Sequence, residues 1–209
     1  MLIEARRPGQ SVGLLSYAWD DRLRNYVDLS TGRMVKRELI TDLLRTVIAG
    51  AERRMGLLGE LVAQGQITPR QFYELMAREI KLATNVSAAL ASGGWQNVSF
   101  SAWGRNGALI RAEYGYLRGF VQEIGLGGLS EAQIIARAKL YGNTAYGRFW
   151  EIEQAGQQAR GMRLMKLLPR MDDRTCPVCI AEAKRGWQPV GTWIIPLHPA
   201  CRCDALYSA

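Results

Sequence analysis

The chain has 209 residues, 48% of them apolar and 22% charged, and its 27 lysines and arginines exceed its 19 acidic residues for a formal net charge of +8. Such a length holds one domain or two small ones, and the apolar content supports a buried core, which excludes a disordered chain. No apolar run reaches the roughly 18 to 20 residues of a membrane span, because "LLRTVIAGAERRMGLLGELVA" is interrupted by Arg45, Glu52, Arg53, Arg54 and Glu60. The opening "MLIEARRPGQSVGLLSYAWDD" lacks the sustained apolar stretch and small-residue cleavage pattern of a secretion signal, so a cytoplasmic origin is expected. The positive balance favours an anionic neighbour. Lys and Arg are nevertheless spread without a run of five or six, and an ordinary basic solvated surface accounts for them equally well.

Residues 1–35 read as an extended arm. Within it, "YVDLSTGRMV" places Tyr26, Val27 and Leu29 before "STG" and Met34 and Val35 after it, which predicts a hairpin with Gly32 supplying positive φ. Two short strands bury little alone, so the arm needs another surface to lie against. From Lys36 the period becomes helical: Leu39, Leu43, Leu44, Val47, Ile48 and Ala51 form a stripe that continues through Met55, Leu58 and Val62 and stops at Gly65. "ITPRQF" then gives a start signal, with Thr68 as N-cap, Pro69 at the first helical position and Gln71 closing a capping box, and predicts a helix over 69–91 ended by Gly93 and Gly94.

A third helix is expected over 101–124, its stripe running from Trp103 through Ile110, Leu117 and Phe120 to Ile124, although its internal glycines each cost about 1 kcal/mol of propensity. "GLGGLSEAQ" is a break and restart, with Ser130 capping and Gln133 returning the bond. The fourth helix carries Ile134, Ala138, Tyr141, Ala145, Phe149 and Ile152 inward. Its aromatics, Tyr141, Tyr146, Phe149 and Trp150, read as core filler rather than a base-stacking platform. After "GQQARGM" the composition turns to Trp, Ile, Val, Gly and Pro, the mark of short strands and turns. The expected fold is therefore mainly α: an arm with a hairpin (1–35), a helical body of about four helices (36–160) and a small cysteine-bearing β module (161–209).

That last segment, "RTCPVCIAEAKRGWQPVGTWIIPLHPACRCDALYSA", holds all four cysteines, Cys176, Cys179, Cys201 and Cys203, and the single histidine, His198. Their clustering asks for a joint role. A structural zinc site is the leading reading: a turn through Cys176-Pro-Val-Cys179 presents two sulfurs to one ion, and the extended Cys201-Arg-Cys203 places positions two apart on one face. In this reading the four thiolates hold the ion and His198 packs the turn beside it, with His198 in place of one thiolate as the alternative. Redox chemistry at "CPVC" lacks the surrounding βαβ pattern and leaves the CxC pair unexplained, while paired disulfides need an oxidising destination such as a virus particle.

No catalytic constellation is visible. The only histidine stands among candidate metal ligands, Asp20-Asp21 and Asp172-Asp173 adjoin arginines in expected loops, and "GLGGLS" lacks the preceding strand and lysine of a phosphate loop.

"DDRTCPVCIAEAKRGW" followed by "PLHPACRC" resembles the C-terminal signature of the phage head-morphogenesis proteins, the Mu F-like minor head proteins: D-x-R-T-C-x-x-C, a spacer, then H-P-x-C-R-C. The likeness covers about the last forty residues, through Asp173, Arg174, Thr175, Cys176, Cys179, His198, Pro199, Cys201, Arg202 and Cys203. The helical body matches no family, and the spacer "KRGWQPVGTW" departs from the usual shorter turn. The resemblance implies a non-enzymatic minor component of a virion head, made in the host cytoplasm and placed by portal or major capsid subunits near packaged DNA. Lys184, Arg185 and Arg202 are then the expected contacts to an anionic partner. The competing readings are a free zinc-stabilised nucleic-acid-binding protein and an enzyme or toxin module; the first lacks a basic helix beside the cysteines, the second a catalytic set.

Overall fold

The computed structural model describes residues 17–20, 22–23, 25–171, 175–198 and 201–209. Among these the chain is mainly helical, with small antiparallel sheets on either side of the helices in sequence. The remainder of the expected arm, residues 1–16, lies outside the described residues.

The N-terminal hairpin is richer than the sequence reading. Strands β1 (Tyr17–Asp20) and β2 (Asn25–Asp28) pair with Tyr17 opposite Asp28 and Asp20 opposite Asn25. The chain then turns again through the expected "STG", where Gly32 has φ 68°, Met34 bridges Val27, and the Val35 N–H donates to the Tyr26 carbonyl at 2.8 Å. Its expected need for a partner surface is met by the helices. Tyr17 and Tyr26 are buried in the main core; the Tyr26 hydroxyl donates to Glu153 at 2.8 Å and accepts from Arg160 at 3.2 Å. Gly93 makes this docking possible: at φ 81° it ends a helix, and a Cβ there would collide with the Tyr17 carbonyl oxygen.

Four long helices follow: α1 (Arg37–Ala63), α2 (Pro69–Ser92), α3 (Phe100–Gly125) and α4 (Glu131–Ala159). Both capping boxes form as the sequence dictates, Thr68 with Gln71 and Ser130 with Gln133. Ser99 caps α3 by accepting from the Ala102 N–H at 3.2 Å. The stripe of α1 is rotated by one residue at its start, with Leu39 exposed and Ile40 buried, because the core-facing line runs Ile40, Leu44, Ile48, Ala51, Met55, Val62. Helix α4 is central and packs on both α1 and α2, whereas α3 lies outside, against α2, touching α4 lightly. The α1–α4 crossing is close enough that a Cβ on Gly59 would stand 3.2 Å from the Ile135 Cα and 3.3 Å from the Ala138 Cβ. Arg148 of α4 is buried, yet its guanidinium is held by the Asn106 side chain at 3.0 Å, the Ala102 carbonyl at 2.8 Å and Glu151 at 2.6 Å, which compensates the desolvated charge.

The C-terminal segment adds β3 (Leu164–Leu168), a short helix α5 (Pro177–Ala183), β4 (Gln188–Pro189) and β5 (Asp204–Ser208), in an antiparallel sheet of order β4-β3-β5. Met165, Leu167, Trp193, Ile195 and Ala205 belong to the same buried cluster as Phe149 and Trp150, so residues on both sides of position 160 share one core. Among the described residues no helix is long and apolar enough to cross a membrane.

Candidate metal centre

Cys176 stands immediately before α5 as its N-cap; its sulfur accepts from the Cys179 N–H at 3.3 Å, and Pro177 takes the first helical position where its missing N–H costs nothing. One helical turn therefore replaces the expected turn between the two cysteines. In the second half the Cys201 N–H bonds the His198 carbonyl at 3.1 Å. From there Cys201, Cys203 and Ala205 alternate as buried residues with less buried Arg202 and Asp204, the two-residue period of an extended segment.

The two halves meet. His198 Nε2 lies 3.0 Å from Cys176 Sγ and 3.1 Å from Cys179 Sγ, and Cys179 Sγ lies 3.9 Å from Cys201 Sγ. Two groups result, Cys176-Cys179-His198 and Cys179-Cys201-Cys203, each with donor atoms within 4.8 Å of one another and sharing Cys179. A cavity of about 20 Å³ sits here, walled by Cys176, Cys179, Cys203 and His198 together with Arg170, Thr175 and Arg202. That is room for a single water or ion.

The electrostatics favour a cation. The Cys179 backbone N–H stabilises the Cys176 thiolate, and the Cys203 thiol, donating to Cys201, pulls the Cys201 pKa down to about 5, well below the ordinary thiol range. Burial pushes Cys179 up, and the same contact with Cys201 pushes Cys203 up. Negative charge on one sulfur is thus held only while its neighbour stays protonated, and a divalent ion lets several deprotonate together. The dimensions fit a tetrahedral ion: metal–sulfur bonds of about 2.3 Å put two sulfurs about 3.8 Å apart, against the 3.9 Å between Cys179 and Cys201. The imidazole stands closer to its sulfurs than the roughly 3.5 Å such coordination gives, so those contacts would have to open by about half an ångström for an ion to be held by all three groups. The five residues thus form a cluster that can hold a metal ion, with His198 a donor on the same footing as the thiols.

Side chains from the helical body fasten this cluster. The Tyr146 hydroxyl of α4 donates to the Cys203 carbonyl at 2.9 Å. Arg45 of α1 grips both oxygens of Asp204 at 2.6 and 2.7 Å while also pairing with Asp42 at 2.9 Å. Burial raises the Asp204 carboxyl above its usual range and the Arg45 charge opposes that rise. Gln154 donates to the Trp193 carbonyl at 2.9 Å. None of Tyr146, Arg45 and Asp204 stands out in the sequence as belonging to the site; Tyr146 reads only as a core aromatic.

The three expected anion contacts divide. Lys184 is exposed just past α5. Arg185 is exposed too but pairs with Glu182 at 2.7 Å, and the same carboxylate accepts the Trp193 indole N–H at 2.8 Å. Arg202 is half-buried and lines the cavity instead of standing clear of it. Thr175 donates to the Arg170 carbonyl, while Asp173, Arg174 and Pro199 lie outside the described residues. No family model matches the chain, and neither a search of curated proteins nor one of solved structures finds a match.

Proposed function

We propose that this chain is a non-catalytic, zinc-clamped structural component of a bacteriophage head, a minor head protein that docks among portal or major capsid subunits close to packaged DNA. The observation that carries the reading is the meeting of the two motif halves: "TCPVC" and "HPACRC", whose His198 and Cys179 are 19 residues apart, face one ion-sized cavity. Zinc is the ion because soft thiolates and an imidazole in a small tetrahedral space suit it, and a closed site without an open position is structural. Four of the five donors hold it, from Cys176, Cys179, Cys201, Cys203 and His198. The clamp fixes β5 onto α1 and α4, which leaves the outer helical faces rigid enough to serve in assembly.

Mass spectrometry of purified particles from the phage that encodes the chain tests the placement. The chain is expected in intact heads, at a few copies per portal; its presence only in the soluble fraction of infected cells, never in heads, contradicts it.

A further inference from the structure

Many of the helix-surface cations of this protein are paired. Arg45, Arg54, Arg70, Arg105 and Arg137 each face a carboxylate within 4 Å. Arg78 and Lys81 on α2 and Arg111 and Arg118 on α3 are exposed and meet no carboxylate within 4 Å among the described residues, as do Arg53 on α1 and Lys139 on α4, which stand away from this group. The packing of α2 on α3 puts the first four together. Phe72 meets Phe120 with ring centroids 5.7 Å apart, the Tyr114 hydroxyl reaches the Ala77 carbonyl at 3.1 Å, and Asn106 bonds Asn85. In that antiparallel register Arg111 stands level with Lys81 and Arg118 level with Glu74.

Arg111 and Arg118 flank Tyr114 on the side of α3 that turns toward α2, seven residues and about 10.5 Å apart. Lys81 and Arg78 lie on the adjoining outer side of α2, opposite its buried line Met76, Ile80, Ala83. Among the described residues Glu74 is the carboxylate on the α2 side of this seam, where Arg70 already pairs with it at 3.1 Å, and Glu113 of α3 faces the groove toward α4.

We infer that the outer α2–α3 seam is a binding surface for the phosphate backbone of duplex DNA, read by charge and not by base sequence. Fixed cations on two rigid helices, with few acids between them, are what backbone neutralisation needs. A protein partner would call for an aromatic or aliphatic anchor at the centre of the patch. Among the described residues the α2 side offers only Leu82, 36% exposed and one turn beyond Arg78 at the edge of the patch, and between Arg111 and Arg118 the exposed large side chain is Tyr116, which faces the groove toward α4 beside Arg137 and Leu140. The ridge of α3 next to the arginines is instead made of exposed Gly104, Ala108 and Gly115, whose lack of bulk lets a wide polyanion approach. The inference goes beyond the proposed role in a head and does not need the clamp; it also moves the anionic contact away from Lys184, Arg185 and Arg202.

The test is fluorescence anisotropy of the full, zinc-loaded chain on two 30-base-pair duplexes of unrelated sequence, between 50 and 200 mM salt. Both duplexes should bind alike, with affinity falling about 10²-fold across that range for four phosphate contacts. The variant Arg78→Gln/Lys81→Gln/Arg111→Gln/Arg118→Gln should lose at least tenfold at 50 mM salt and most of the salt dependence, with an unchanged unfolding midpoint. Lys184→Gln/Arg185→Gln should bind as the parent does. If the fourfold variant misfolds, the α2 pair and the α3 pair are tested separately, and each should lose part of the affinity. Binding retained in the seam variants, no binding by the parent at 50 mM salt, strong preference for one duplex, or tighter capture by a polyglutamate peptide than by DNA would overturn the inference. Zinc content and particle composition are read independently, so this result and the proposed function fail separately.

Discussion

Tyr146 and Cys203 are 57 residues apart, and a buried hydrogen bond between them ties the cysteine strand to the central helix. The contact is buried, so Tyr146→Phe leaves the Cys203 carbonyl without its donor and should cost about 1 to 2 kcal/mol in urea unfolding of the zinc-loaded protein, with an unchanged m-value. An unchanged midpoint would mean that the strand is held by other contacts. The five candidate donors were legible in the sequence because their residue types are rare here and concentrated at one end. The residues that hold them were not, since Tyr146, Arg45 and Asp204 have ordinary identities and acquire their roles only when α1 and α4 are packed side by side. For the same reason Arg202 reads as a surface cation in the sequence but turns toward the cavity in the fold.

Elements show a comparable division. The starts of α2 and α4 were readable to the residue because a Ser or Thr with a Gln three positions on has one dominant use. Helix α5 escaped, since its N-cap is a cysteine, outside the usual Ser, Thr, Asp and Asn, and the competing demand for a metal-binding turn masked Pro177, the same cue used for Pro69. The one-residue rotation at the start of α1 was equally hidden, because Leu39 and Ile40 are both apolar and only the partner helix chooses between them. Glycines separate by what faces them. Gly59→Val forces α1 away from Ile135 and Ala138 and should destabilise by about 1 to 3 kcal/mol. Gly107→Ala meets open space inside α3 and should stabilise by about 0.5 to 1 kcal/mol. Urea unfolding of the two variants gives opposite signs if the close α1–α4 approach governs, and equal signs if helix propensity alone does.

At the scale of the whole molecule, the cysteine segment and the helices are one packed body: Cys179, Cys201 and Cys203 are buried in the same cluster as Trp150 and Phe149, and Arg37 lies against both the Trp150 and Tyr207 rings. A metal ion bound at the cysteines therefore stabilises the bundle as well as its tail, because ligands that must converge to bind it do so only in the folded chain. The most direct measurement is the metal content of protein purified under reducing conditions, taken with its thermal unfolding before and after chelation. The account predicts one zinc per chain and a single unfolding transition that moves to lower temperature when the zinc is stripped. Protein that carries no metal, exposes four titratable thiols and unfolds at the same temperature with or without chelator would contradict it.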